Sequence, residues 1–232
     1  MLARHGRTTG RLACVMAWVA LPVGQLHALA RYRTTDGRAD LELPLTAAWA
    51  EPADRLLSPL LDWASADVVY LTYGKAWLPI FVAFTLCAFA VRARRQPTGV
   101  ERWAWRVALT GYVLACLSVA AEYWTQWGAV DERLLETVFL AAVPAMLLTM
   151  LGSSFLGVVL LRRGAPRLPA VLLVLAVPAM VVVPMVTSLG NVVLPIVFAF
   201  GLLDRRLAED AAGAEVGPAR ARSADGALSS AG

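Results

Sequence analysis

Lys75 and Glu122 are the side chains best placed to do chemistry, because each interrupts a long apolar run. A charged group at the centre of a membrane helix costs about 2.5–3.5 kcal/mol on insertion scales, so it is kept where it pairs, reaches an interface or serves a site. Lys75 lies roughly 10 Å into its run at about 1.5 Å per residue. Glu122 closes the following run. Antiparallel runs would bring both to the same half of a membrane, where an ion pair offsets part of the desolvation cost. The plainer alternative has Lys75 snorkelling to the interface while Glu122 rests among Tyr123 and Trp124. A buried Glu122 also has the character of a general acid, since burial holds a carboxyl protonated. In that case Tyr73, Tyr123 and Trp124 would line an apolar pocket or stabilise a developing cation.

Other polar groups gather at the same depth. His27 lies near the end of the first apolar run, and Tyr70, Thr72 and Tyr73 lie just before Lys75. Gln126 lies one turn beyond Glu122, Glu136 opens the fourth run, and Thr187 and Asn191 flank a turn between the last two. The candidate polar site is therefore Lys75, Glu122, His27, Tyr73, Gln126, Glu136 and Asn191, with no residue assigned a catalytic role.

Several chemistries are excluded by what the chain lacks. Its two histidines, His5 and His27, cannot supply paired haem ligands or a histidine-rich metal cluster. Cys14, Cys87 and Cys116 all fall inside apolar runs and form no CxxC pair, so neither a disulfide framework nor a zinc site is expected. Ser153 and Ser154 have no histidine on a neighbouring run to activate them as nucleophiles. No P-loop, GxGxxG or HExxH motif is present. Neither metal nor cofactor is expected.

The elements that must position these residues are membrane spans. The chain is 59% hydrophobic with a mean hydropathy of +0.62, above the about 45–50% of soluble domains. A spanning helix needs about 20 mostly apolar residues. Leu12–Ala30, Val68–Val91, Trp105–Trp124, Leu134–Leu161, Leu168–Val186 and Leu189–Leu203 qualify or come close. Arginine clusters mark alternate ends of these runs: Arg4, Arg7 and Arg11; Arg92 to Arg106; Arg162, Arg163 and Arg167; Arg205 and Arg206. The connection from Arg31 to Asp67 instead carries four arginines against seven acids, and the next on that side holds Asp131 and Glu132 against Arg133. This is the positive-inside pattern. It predicts an all-α, polytopic bundle of about six spans with both termini cytoplasmic, in the inner membrane. Arginine supplies all basic residues but Lys75, and asparagine is nearly absent, a coding bias that suggests a bacterium. The basic residues flank spans and form no nucleic-acid-binding face.

Finer features follow. Arg4–Arg11, Leu12–Val23 and Ala28-Leu29-Ala30 also resemble the parts of a cleavable signal peptide, which would leave five spans. The turn near Thr187–Asn191 makes either a tight hairpin of two spans or a re-entrant pair. Within the external connection 31–67, Leu56, Leu57, Leu60 and Leu61 recur at helical spacing, and an amphipathic surface helix across 53–64 is expected. It would seal the bundle or lid a site. Residues 1–206 form one helical domain, and the Ala/Gly/Ser-rich tail 207–232 is expected to be disordered in the cytoplasm.

Small residues predict packing seams: Gly111, Ala115, Ser118 and Glu122 share one helix face, and Ala145, Thr149 and Gly152 another. Pro79, Pro144, Pro178, Pro184 and Pro195 predict kinks. The absence of catalytic motifs points first to a non-enzymatic accessory component that meets a membrane-protein partner or its own copies through small-residue faces. The alternatives are a small transporter or channel subunit with an outward polar vestibule and a small anionic substrate, and an intramembrane enzyme on a lipid or isoprenoid-like substrate with Glu122 as general acid. The latter two require a pocket; the first expects a filled bundle.

Overall fold

The computed structural model describes residues 6–210, and every regular element among them is helical. The order is α1 (Gly6–Arg33), a 3-10 turn (Asp36–Glu42), α2 (Pro44–Leu61), α3 (Ala66–Lys75), α4 (Trp77–Arg95), α5 (Gly99–Tyr123), α6 (Glu132–Arg162), α7 (Arg167–Val174) and α8 (Ala176–Val182). Two 3-10 turns (Val183–Met185 and Leu189–Val193) lead into α9, residues 194–210.

Four segments are long and apolar enough to cross a membrane: Thr8–Arg33, Ala66–Arg95, Gly99–Tyr123 and Arg133–Arg162. A fifth arises if Arg167–Val174 and Ala176–Met185, bent by 46° relative to each other, count as one broken span. These five match the first five runs of the sequence. The sixth run, Leu189–Leu203, starts as a 3-10 turn and continues as α9. That helix persists to residue 210; the rest of the expected disordered tail, 211–232, lies outside the described residues, as do Arg4 and His5.

Two breaks have a common cause. Proline has no N–H to return to the carbonyl four residues earlier. Pro79 thus leaves the Lys75 carbonyl open, and the chain divides there into α3 and α4; the Trp124 indole Nε1 donates to that carbonyl at 3.1 Å. Pro178 leaves Val174 open at the α7–α8 bend. Here the Ser154 hydroxyl donates to Val174 O at 2.9 Å and accepts from Val177 N at 3.2 Å. Ser154 is thus a patch on a broken helix.

The small-residue stripes of α5 and α6 pack on each other. A Cβ on Gly111 would stand 2.6 Å from the Thr149 backbone nitrogen, and one on Gly152 would stand 2.9 Å from the Ala108 Cα. The two helices therefore touch backbone to backbone, which only glycine at those positions permits. Farther along, the pair opens. Phe139, Leu140 and Leu147 on the first half of α6 are exposed, and Ser118 and Glu122, expected in the seam, line a cavity instead.

At the arginine-rich end the bundle is filled. Ala13, Ala17 and Ala20 of α1 are fully buried, and Phe200 of α9 packs among Phe84, Trp105 and Tyr112, with ring centroids 5.6–6.5 Å away. Arg94 pairs with Asp204. Arg95 Nε donates to Glu101 Oε1 at 2.9 Å, and the same oxygen accepts from Trp105 Nε1 at 3.3 Å.

The expected surface helix exists and is longer than its leucine pattern, spanning Pro44–Leu61. It is clamped over the acidic end: Arg33 bridges to Asp54 and Asp62, Tyr73 Oη donates to Leu60 O at 2.8 Å, and Thr46 and Trp49 donate to the Met185 and Val186 carbonyls. Leu56 and Leu60 stay exposed.

Candidate functional site: a cavity at the acidic end

Between the diverging halves of α5 and α6, the end of α1 and the 184–193 segment lies a cavity of about 910 Å³. That is at the upper end of the size range of small-molecule sites, about 300–1,000 Å³. Its body is apolar, formed by Phe81, Val119, Phe139, Val143, Met146 and Met150. Its polar end gathers His27 and Arg31 from α1, Asp36 and Asp40 from the 3-10 turn, Asp67 and Tyr70 from α3, and Glu122 with Tyr123 from α5. Glu136, Thr149 and Ser188 add polar groups to the α6 and turn walls.

His27 is the centre of an aromatic cluster. Its ring stacks on Tyr70 at 4.9 Å and meets Tyr123 edge-on at 5.4 Å. The two tyrosine hydroxyls are 3.3 Å apart, and Trp77 Nε1 donates to His27 Nδ1 at 3.3 Å. Gly74 makes this cluster possible: a Cβ there would fall 2.1 Å from the Tyr123 ring. The Glu122 carboxyl lies against the Tyr123 hydroxyl. Arg31 is within electrostatic reach of both Glu122 and Tyr70. Its guanidinium also holds Asp40 at 2.8 Å and Asp36 at 3.4 Å.

Three buried polar atoms on cavity-lining residues have no partner: His27 Nε2, Thr149 Oγ1 and Ser188 Oγ. Buried polar groups are hydrogen-bonded in roughly 90% or more of cases; Arg92 Nε and Asn191 Oδ1, on residues that do not line the cavity, are unpartnered as well. Among the described residues no cluster of three or more His, Cys, Asp or Glu has a metal-holding arrangement.

Of the seven residues singled out from sequence, the cavity collects His27, Glu122 and Glu136. The other four turn to structural work. Lys75 Nζ donates to the Gln126 carbonyl at 2.9 Å and sits 4.3 Å from the Trp127 ring centroid; it is paired with the α5–α6 connection and not with Glu122. Gln126 is buried, donates to Glu122 O and accepts from Asp131 N. Tyr73 holds α2. Asn191 Nδ2 donates to Thr187 Oγ1 at 2.8 Å and to Gly24 O at 3.4 Å, tying the turn to α1. Sequence reasoning missed Arg31, Trp77, Thr149 and Ser188. For Arg31 a signal existed: it is a basic residue on the acidic side, against the positive-inside trend.

The fold and the cavity define an all-helical protein with four to five potential membrane spans and an amphipathic, partly open cavity. Comparison with known protein families, with curated proteins and with solved structures gave no match.

Proposed function

We propose that this is a multi-pass protein of a bacterial cytoplasmic membrane that takes up a lipid-like amphiphile, seating its chain in the apolar body of the cavity and its head at the His27–Glu122 end. The observation that carries this reading is the cavity itself, apolar along most of its length, polar at one end, and walled by the half of α6 that has parted from α5. An accessory role would be better served by a filled bundle, and the α5 and α6 small-residue faces are already occupied by one another. Six passes with both termini on the cytoplasmic side are supported by the meeting of α1, α4 and α9 at one arginine-rich end, where Gly10 and Arg94 both abut Asp204. A retained first span is supported by the burial of Ala28, Leu29 and Ala30.

Mass spectrometry of the protein purified in native nanodiscs tests the reading. We expect one amphiphile enriched severalfold over bulk membrane lipid, and its loss in a folded Ala142→Trp variant that fills the cavity. Co-purifying lipid of bulk composition in both proteins overturns the proposal. A second, catalytic reading is favoured by Glu122 standing beside Tyr123 and near His27: with Glu122 as general acid, Glu122→Gln would retain an amphiphile whose head differs chemically from that held by the parent. An identical ligand in both excludes it.

A further inference from the structure

We infer that the head of the bound amphiphile is neutral and hydroxyl-bearing, an alcohol or polyol and not an acid or an ammonium. This rests on the cavity reading above and adds the class of ligand. The argument begins at His27, which is only 3% exposed. An indole N–H can only donate, so the bond from Trp77 Nε1 makes His27 Nδ1 an acceptor and places the imidazole proton on Nε2. Nε2–H is the atom without a partner. It therefore needs an acceptor, because a buried donor left alone is costly. An ammonium head offers no acceptor.

Charge disfavours the opposite choice. Asp36, Asp40, Asp67 and Glu136 line the cavity against the single guanidinium of Arg31, which already serves Asp36 and Asp40. An anionic head would meet excess like charge with no free cation to answer it. That also sets aside the anionic substrate considered for a transporter. A hydroxyl does both jobs at once: it accepts from His27 Nε2–H and donates to a carboxyl oxygen such as that of Glu122. Thr149 and Ser188, whose hydroxyls rotate to give or take, suit further hydroxyls on the same head.

The experiment uses the full chain in nanodiscs and measures equilibrium binding of three tritiated probes with one chain and different heads: oleyl alcohol, oleate and oleyltrimethylammonium. The alcohol should bind at least tenfold tighter than either ion. His27→Phe should lower alcohol affinity about tenfold, whereas His27→Gln, which keeps an N–H donor, should retain most of it. Thermal unfolding of each variant separates loss of binding from loss of fold. Equal or tighter binding of either ion, or an alcohol affinity unchanged in folded His27→Phe, overturns the inference while leaving the cavity reading intact. Failure of all three probes to bind the parent overturns both.

Discussion

The two ends of the bundle handle polar groups in opposite ways. At the arginine-rich end, Arg94 meets Asp204, and Arg95 meets Glu101, whose carboxylate also accepts from Trp105 Nε1. At the acidic end, Arg31 is held by two carboxylates, yet Glu122 and His27 border a hollow and three neighbouring polar atoms lack partners. A buried charge costs little only when it is paired. The first end follows that rule for Arg94 and Arg95, although Arg92 Nε there has no partner; the second has its orphans beside a hollow. Close packing and open space alternate along the same helix: α5 is a packing seam at Gly111 and a cavity wall at Glu122.

Three substitutions sharpen or break this contrast. The largest effect is expected from Asp204→Asn, which leaves Arg94 unpaired beside the core; a loss of about 3 kcal/mol should appear in denaturant unfolding in detergent. The double change Asp204→Leu with Arg94→Met should recover much of it. A loss under about 1 kcal/mol would mean the closed end does not depend on its charges. Ser154→Ala comes next. It strips the Val174 carbonyl and the Val177 N–H of their shared hydroxyl, and about 1–2 kcal/mol should be lost, with faster amide exchange confined to α7 and α8. Exchange that spreads through α1 and α4 would show that the bend is not a local device. Smallest is Lys75→Met, which removes one hydrogen bond and a contact with Trp127 at a partly exposed site, about 0.5–1 kcal/mol. Its coupling to Glu122→Gln in a double-mutant cycle should be below about 0.3 kcal/mol. A coupling above about 1 kcal/mol would restore the direct ion pair and tie Lys75 to the cavity.

Lys75 shows where reading the sequence stops. Its depth in the apolar run was legible, but depth does not fix direction around the helix. Pro79 breaks the run at Ala76, and after that break the lysine faces the α5–α6 connection. Glu122 and His27 were legible because a charged or imidazole group inside an apolar run is costly without a purpose. Arg31, Trp77, Thr149 and Ser188 were not, since each type is ordinary at the end of a span. Likewise the stripe Gly111–Ala115–Ser118–Glu122 marks an inward face, yet periodicity says nothing of whether the partner helix stays in contact along it.

The sequence by itself determined the helical, membrane-type class, the first five apolar segments, the breaks at Pro79 and Pro178 and the small-residue stripes of α5 and α6. Those follow from local physics: run length against bilayer thickness, missing N–H groups at proline, missing side chains at glycine. Only the tertiary structure decided that α6 leaves α5 halfway, that the 3-10 turn folds Asp36 and Asp40 back onto Arg31, and that His27 faces a chamber with one nitrogen unanswered. Those outcomes depend on contacts between residues far apart in the chain, and no spacing within a single helix encodes them.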